Sequence, residues 1–366
     1  MTQPNLRRRA REAGLIIGEL PSGLHDAITD VAGVCVGHVT LIAGEGALRP
    51  GSGPVRTGVT VVLPHDGNIF RSKVCAAVHT LNGFGKVLGF EQVRELGALE
   101  SPIALTNTLN VGLVADALVQ VALRQNPDIG VTTSSVNVLV GETNDGYLND
   151  LQGRHVQAEH VFAAIESAST GPVAEGAVGA GTGTLCFGWK GGIGTASRVL
   201  PFSLGGFTLG ALVQSNFGRP DDLVIAGVPL GRSLQPPSKR AEADDKGSIM
   251  IVLATDAPLD ARQLQRLCVR AGAGLARVGG HYGHGSGDFV IAFSTANRIE
   301  HEPIELVAMH AALIAEGKVI DGLFRAVVES VEEAIVNSLF RARTIVGRDD
   351  HMASALPVDE VLALIS

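Results

Sequence analysis

The chain has 366 residues, 45% of them hydrophobic and only 4% aromatic, with 46 glycines and a formal charge of −8. That length suits one large domain or two ordinary ones, with a core built from Val, Leu, Ile and Ala and many tight turns. The acidic balance, with basic residues gathered only at Arg7, Arg8, Arg9 and Arg11, argues against a nucleic-acid partner.

The apolar run Gly14–Ile17 after those arginines is far shorter than the roughly 7–15 residues of a signal-peptide core. No stretch approaches the ~18 apolar residues of a membrane span. Cys35, Cys75, Cys186 and Cys268 are scattered without a CxxC pair, so neither a disulfide framework nor a zinc knuckle is indicated. The expectation is a cytoplasmic protein with no membrane contact.

In chain order, residues 1–13 read as a loose polar tail, Val34 and Val36 mark a strand, and 41–57 read as a glycine-rich surface loop. Strands are predicted at 59–64, 103–105 and 136–140, with a glycine-rich turn at 82–85. Helical spacing appears at 90–96, 113–123 and 155–169. Residues 141–150 form an acidic, Asn-containing loop, and glycine-rich strands are expected at 179–183, 186–194 and 208–217. The proline- and charge-rich segment 231–246 reads as a linker joining two unequal parts.

Beyond it comes a strand from Ser248 to about Thr255, then a helix capped by Asp260 with Leu264, Leu267, Cys268, Ala271 and Leu275 on one face. A strand at 289–294 and helices at 306–314 and 323–339 complete the pattern of strands sandwiched by helices.

Ser248 draws attention because it opens a Val/Ile/Leu strand directly after Gly247. A hydroxyl beside a deformable peptide bond is what self-cleavage by an N-to-O acyl shift requires. Cleavage would make Ser248 an N-terminus whose α-amine, with a pKa of about 7.7–8.0 in model peptides, can serve as its own base. Taken alone, Gly-Ser before an apolar run commonly just ends a loop. Other motifs fail on inspection: 179–184 lacks the third glycine of a dinucleotide fingerprint, 83–87 lacks the Ser/Thr of a phosphate loop, and Ser286 lacks the outer glycines of a nucleophile elbow. No histidine pair stands at metal-ligand spacing with carboxylates, so no metal or cofactor is expected.

More informative are Ser286 and Asp288, two apart in an extended segment and so on one face, where a hydroxyl and a carboxylate can relay a hydrogen bond. Asn216 follows an apolar strand, where its amide could serve an oxyanion or simply make a turn. Glu142, after the 136–140 strand, could hold a substrate ammonium or sit solvated on the surface.

Taken together, "LHDAITDVAGVCVGHVT" at 24–40, "GETNDGYLND" at 141–150, "GTGTLCFGWKGGIGTASR" at 181–198, "LVQSNFG" at 212–218, "DDKGSIMIVLATDAPL" at 244–259 and "GSGDFVIAFSTAN" at 285–297 resemble the self-processing L-aminopeptidase/D-esterase family, which includes the β-peptidyl aminopeptidases.

The resemblance implies an α/β fold, a four-layer αββα sandwich of the N-terminal-nucleophile kind. It implies cleavage between Gly247 and Ser248 into chains 1–247 and 248–366 that together form one domain, and a homo-oligomer, a tetramer of cleaved heterodimers. It further implies a serine aminopeptidase or amidase acting on small peptides, amides or esters with a free amine. Ser248 would be the nucleophile, Ser286 and Asp288 its relay, Asn216 the oxyanion donor and Glu142 the amine anchor. Some relatives carry Glu at the position of Asp288 and an aromatic at that of Asn144, so relay geometry and pocket polarity differ here. Acyl transfer, internal cleavage of linear amides, or a non-enzymatic binding role on the same scaffold are the alternatives.

Overall fold

The computed structural model describes residues 7–237 and 247–365. Strands β1 (Cys35–Ala43), β2 (Val55–Leu63), β3 (Ser72–Gly83) and the short β4 (Ala98–Leu99) are followed by β5 (Ile103–Asn107) and β6 (Leu139–Thr143). A small ribbon, β7 (Leu185–Cys186) and β8 (Trp189–Lys190), leads into β9 (Gly192–Val199), β10 (Thr208–Asn216), β11 (Ser248–Thr255) and β12 (Gly287–Glu300). The principal helices are α1 (Phe90–Leu96), α2 (Val111–Gln125), α3 (Ala158–Glu166), α4 (Ala261–Arg277) and α5 (Glu316–Phe340).

Two sheets result. One is four-stranded in the order β1-β2-β5-β6, the other six-stranded in the order β4-β3-β12-β11-β10-β9. Strands from both sides of the proposed cleavage point interleave in the second sheet, because β11 and β12 lie between β10 and β3.

Alternation along the strands assigns the layers. On β11, Ile249, Ile251 and Leu253 join the core beneath α4 and α5, whereas Met250, Val252 and Ala254 join the core between the sheets. On β2, Val59 and Val61 pack toward α2 and α3, and Val62 faces the other sheet. Helices, sheet, sheet and helices therefore stack as a four-layer αββα sandwich. The fully buried runs of β5, β6 and β11 follow from this, since a strand covered on both faces has no solvent side to mark with polar residues.

The Asp260 cap forms as expected: its carboxylate accepts the Gln263 N–H at 2.6 Å while the Gln263 side chain accepts the Asp260 N–H at 3.0 Å. Several expectations are corrected. Residues 7–13 are no loose tail: Ala10 is fully buried and its N–H meets Asn337 Oδ1 at 2.9 Å, while Arg9 and Arg11 pair with Glu175 and Glu333. The predicted 41–57 loop shrinks to the turn between β1 and β2, because Arg56 lies buried in β2 and donates to the carbonyls of Ala43, Gly44, Val55 and Val346. The 136–140 strand is shifted to 139–143, and 179–181 forms a 3-10 turn instead of a strand.

Residues 306–314 are not helical. The Asn297 side chain holds Ala311 through both its N–H and its carbonyl, and Leu306, Val307 and Met309 are left exposed. Of the expected linker, 238–246 falls outside the described residues. The part before it includes a 3-10 turn at Leu230–Arg232 and a buried Leu234, so it is ordered onto the core.

Candidate active site

Ser248 is the first residue of β11 and 6% exposed. It shares the inter-sheet face with Met250 and Val252, at the end of the sandwich. Its Oγ–H donates to the Gly247 carbonyl oxygen at 2.7 Å, and the Gly287 N–H donates to that same oxygen at 3.2 Å. Gly247 is required for close approach, not for an unusual φ: a Cβ there would lie 2.4 Å from Phe217 Cα and 2.8 Å from Asn216 O.

Two register pairs bring the predicted residues to this point. On one side Asn216 is directly opposite Ser248, with β10 and β11 antiparallel. On the other, the parallel pairing of β11 with β12 sets Ser248 against Gly287, the residue between Ser286 and Asp288. Ser286 Oγ donates to Asp288 Oδ1 at 2.8 Å, and both residues are 1% exposed, so the spacing expected from the sequence produces a real hydrogen bond. The loop before it is tied by Asn82, whose side-chain amide donates to the Ser286 carbonyl and, at 3.0 Å, to that of Gly283.

Asn216 is not a free turn residue. Its Oδ1 accepts the Leu185 N–H at 3.0 Å, which fixes the carboxamide and leaves Nδ2 as the donating end. Glu142 lies inside β6 and is 3% exposed, contrary to a solvated surface role. Its Oε1 accepts the Lys86 N–H at 3.0 Å, and its Oε2 has no hydrogen-bond partner among the described residues. Burial raises its pKa, an effect opposed by the Lys86 N–H and ammonium and by the nearby Thr108 hydroxyl. A methyl at Gly85 would touch both Glu142 Oε1 and Gly287 Cα, so this carboxyl reaches the neighbourhood of β12 at Ser248's level.

Asn144 is exposed, and its Oδ1 caps the Gly146 N–H at 2.9 Å in an Asx turn. That bond draws its oxygen back onto its own turn.

Three further groups escaped sequence reasoning. Asp145 is 1% exposed; burial pushes its pKa up to about 7, against hydrogen bonds from Thr57 and Asn149. Lys190 is fully buried, and burial pulls its pKa down to about 7, with the Asp145 charge opposing. The Gly287 N–H is a backbone donor that no side-chain pattern reveals. A lysine inside the apolar, glycine-rich "CFGWKGG" was the available signal for Lys190.

Among the described residues no group of three or more His, Cys, Asp or Glu is arranged to hold a metal ion, and no helix is long and apolar enough to cross a membrane. A separate cavity lined by His65, Phe70, Glu100 and Leu118 shares none of these site residues; both His65 ring nitrogens are already bonded, to Ser72 O and Gly67 N.

Known proteins resemble this one over nearly the whole chain. A β-peptidyl aminopeptidase of Sphingosinicella microcystinivorans is 42% identical, covering 98% of this chain and 91% of its own. A solved structure from Pyrococcus horikoshii is 53% identical with a TM-score of 0.92, covering 98% of each chain. The L-aminopeptidase D-Ala-esterase/amidase of Ochrobactrum anthropi, described as a variant of the N-terminal-nucleophile hydrolase fold, is 38% identical with a TM-score of 0.87, again over 98% of each chain. The αββα sandwich is thus of that fold class. The sequence matches peptidase family S58 over residues 26–353, and the chain belongs to that family.

Proposed function

We propose that this protein is a self-processing serine aminopeptidase and amidase, with Ser248 as nucleophile both in its own cleavage and in catalysis. The observation that carries the reading is the Ser248 hydroxyl 2.7 Å from the Gly247 carbonyl oxygen, with the Gly287 N–H on that same oxygen. In self-cleavage Oγ adds to the Gly247 carbonyl carbon, the Gly287 N–H steadies the developing oxyanion, and the Oγ proton passes to the Ser248 nitrogen as the Gly247–Ser248 C–N bond breaks to free the α-amine. Water then hydrolyses the ester, leaving Gly247 as a carboxylate and Ser248 as an N-terminus.

In catalysis the freed amine takes the Oγ proton as Oγ attacks the substrate carbonyl. Asn216 Nδ2, held by the Leu185 N–H, donates to the oxyanion. The leaving amine departs protonated, and water attacks the acyl-enzyme to regenerate Ser248. Ser286 and Asp288 hold the proton network around Oγ and the amine; the shorter Asp288 already reaches Ser286 Oγ directly at 2.8 Å, so no bridging water is needed between them.

Glu142 gives the requirement for a free amine. A buried carboxyl with an unpartnered oxygen gains most from a substrate ammonium, which supplies the charge that burial withholds. The relatives named as a β-peptidyl aminopeptidase and as an L-aminopeptidase D-Ala-esterase/amidase support substrates of this class. Asn144 gives the pocket rim a short polar side chain. Association of cleaved heterodimers into a homo-oligomer is supported by exposed Ile304, Leu306, Val307, Met309 and Ile314, and we place the protein in the cytoplasm.

The test is Ser248→Ala with a panel of aminoacyl-p-nitroanilides. Loss of turnover by at least about 10⁴-fold, together with loss of chain cleavage, is expected for a removed nucleophile. Retained hydrolysis would overturn the assignment.

A further inference from the structure

Lys190 is fully buried, yet its ammonium is met by carbonyls alone: Gly181 O, Thr184 O and Gly191 O, each at 2.8 Å. Three donors and three acceptors satisfy its hydrogen bonding, but no carboxylate among the described residues forms an ion pair with it. A buried cation without a paired anion is expensive to keep, yet three carbonyl acceptors can all be met only by the three N–H groups of the ammonium, because a neutral amine has two.

One of the three carbonyls connects Lys190 to the chemistry. The peptide unit joining Thr184 to Leu185 is gripped at both ends: its oxygen accepts from Lys190 Nζ at 2.8 Å and from the Gly191 N–H at 3.1 Å, while its N–H donates to Asn216 Oδ1 at 3.0 Å. Asn216 in turn stands opposite Ser248 in the ladder. An ammonium, a peptide and a carboxamide therefore lie in one hydrogen-bonded series that ends at Asn216 Nδ2. In such a series each bond polarises the next, by about 10–30% per bond, and here the head of the series is a three-donor ammonium.

We propose that Lys190 is a positioning residue for the oxyanion donor, fixing and polarising the Thr184–Leu185 peptide so that Asn216 Nδ2 is aimed at the substrate oxygen and made a stronger donor. The inference rests on the reading of Asn216 as that donor. It gives the buried charge a role that acts in the transition state, where negative charge develops, more than in substrate binding. The three carbonyls at the head of the series favour the ammonium, the only form of the lysine that can donate to all of them.

The experiment is a double-mutant cycle on the full chain: wild type, Asn216→Ala, Lys190→Gln and the double variant, with kcat and KM for one aminoacyl-p-nitroanilide and kcat normalised to the amount of chain beginning at Ser248. Lys190→Gln keeps amide donors but removes the charge. It is expected to lower kcat by about 10–100-fold with KM moved less than about threefold, part of the 10²–10³ range of a lost oxyanion donor. In the Asn216→Ala background the same change is expected to cost less than about twofold, because coupled residues are non-additive.

Unchanged kcat in Lys190→Gln overturns the proposal, as does a full multiplicative loss in the double variant. So does a failure of both Lys190→Gln and Lys190→Met to yield folded protein, which assigns the lysine to the fold. A folded Lys190→Gln left uncut, whether or not Asn216→Ala is cut, also overturns it, because self-cleavage draws on the Gly287 N–H and not on Asn216. If Asn216→Ala itself leaves kcat intact, it is the oxyanion reading that fails, and the proposal with it.

Discussion

Two buried polar clusters flank the six-stranded sheet, and they are built on opposite rules. Beneath α5, Arg198 pairs with Glu329 at 3.0 Å and Glu333 at 2.5 Å, and Arg11 and Arg9 add Glu333 and Glu175 at 2.9 and 2.8 Å. Cation answers anion throughout, and the network ties the N-terminal segment to α5 and β9. Between the sheets, at the ends of β10 and β11, Glu142 Oε2 and Asp145 Oδ2 have no hydrogen-bond partner among the described residues, and Lys190 is met only by carbonyls. The first cluster uses buried charge to hold one arrangement of the chain. In the second, Glu142, Asp145 and Lys190 form no direct ion pair among the described residues, the usual mark of a place where a substrate completes the set.

The comparison can be broken from either side. On the site side, Asn216→Ala is expected to lower kcat by about 10²–10³-fold if it is the oxyanion donor proposed above, with a stability loss of only about 1–3 kcal/mol from the Leu185 N–H that loses its acceptor; steady-state kinetics and a melting curve check both halves. Asp288→Asn keeps the size of the group that accepts from Ser286 but removes its charge, and is expected to lower kcat by roughly tenfold or more while the chain still folds.

On the structural side, Arg198→Met strands Glu329 and Glu333 in the core, and urea denaturation is expected to register a loss of about 3–5 kcal/mol with kcat per folded molecule unchanged. A large kcat effect there would erase the distinction between the clusters.

The smallest effect is in pH. Burial pushes the Asp145 carboxyl up to about 7 from its ordinary 3.8. A raised folded pKa means that its contribution to stability is fully present below about 3.8 and is lost as pH rises through about 7. Asp145→Asn should therefore gain in denaturation midpoint relative to wild type as pH climbs from 5 to 7.5. A difference that stays flat over that window contradicts the burial effect on Asp145.

The strand opening at Ser248 was legible because a fully covered strand reads as an uninterrupted Ile/Val/Leu run, and the Asp260 helix because its cap and apolar face agree. The Ser286–Asp288 pair was legible from the period of an extended chain. What stayed hidden was set by distant partners. Arg56 disguises the start of β2 as loop because its charge is satisfied by carbonyls brought from elsewhere. Helical spacing at 306–314 promised an apolar face, but no element among the described residues covers Leu306, Val307, Met309 or Ile314. The three-residue shift of β6 turned Glu142 from a loop residue into a buried strand residue, and only the pairing with β5 could fix that register. Lys190 shows the same limit: its meaning lies in a peptide six residues back and in an amide on another strand.

The central claim is that the backbone is severed ahead of Ser248 and that the new amine arms its hydroxyl. N-terminal sequencing of the purified protein, with intact masses of its components, addresses this most directly. The account predicts two chains, the smaller beginning Ser-Ile-Met-Ile, in fully active preparations. A single continuous chain with full aminopeptidase turnover would contradict it.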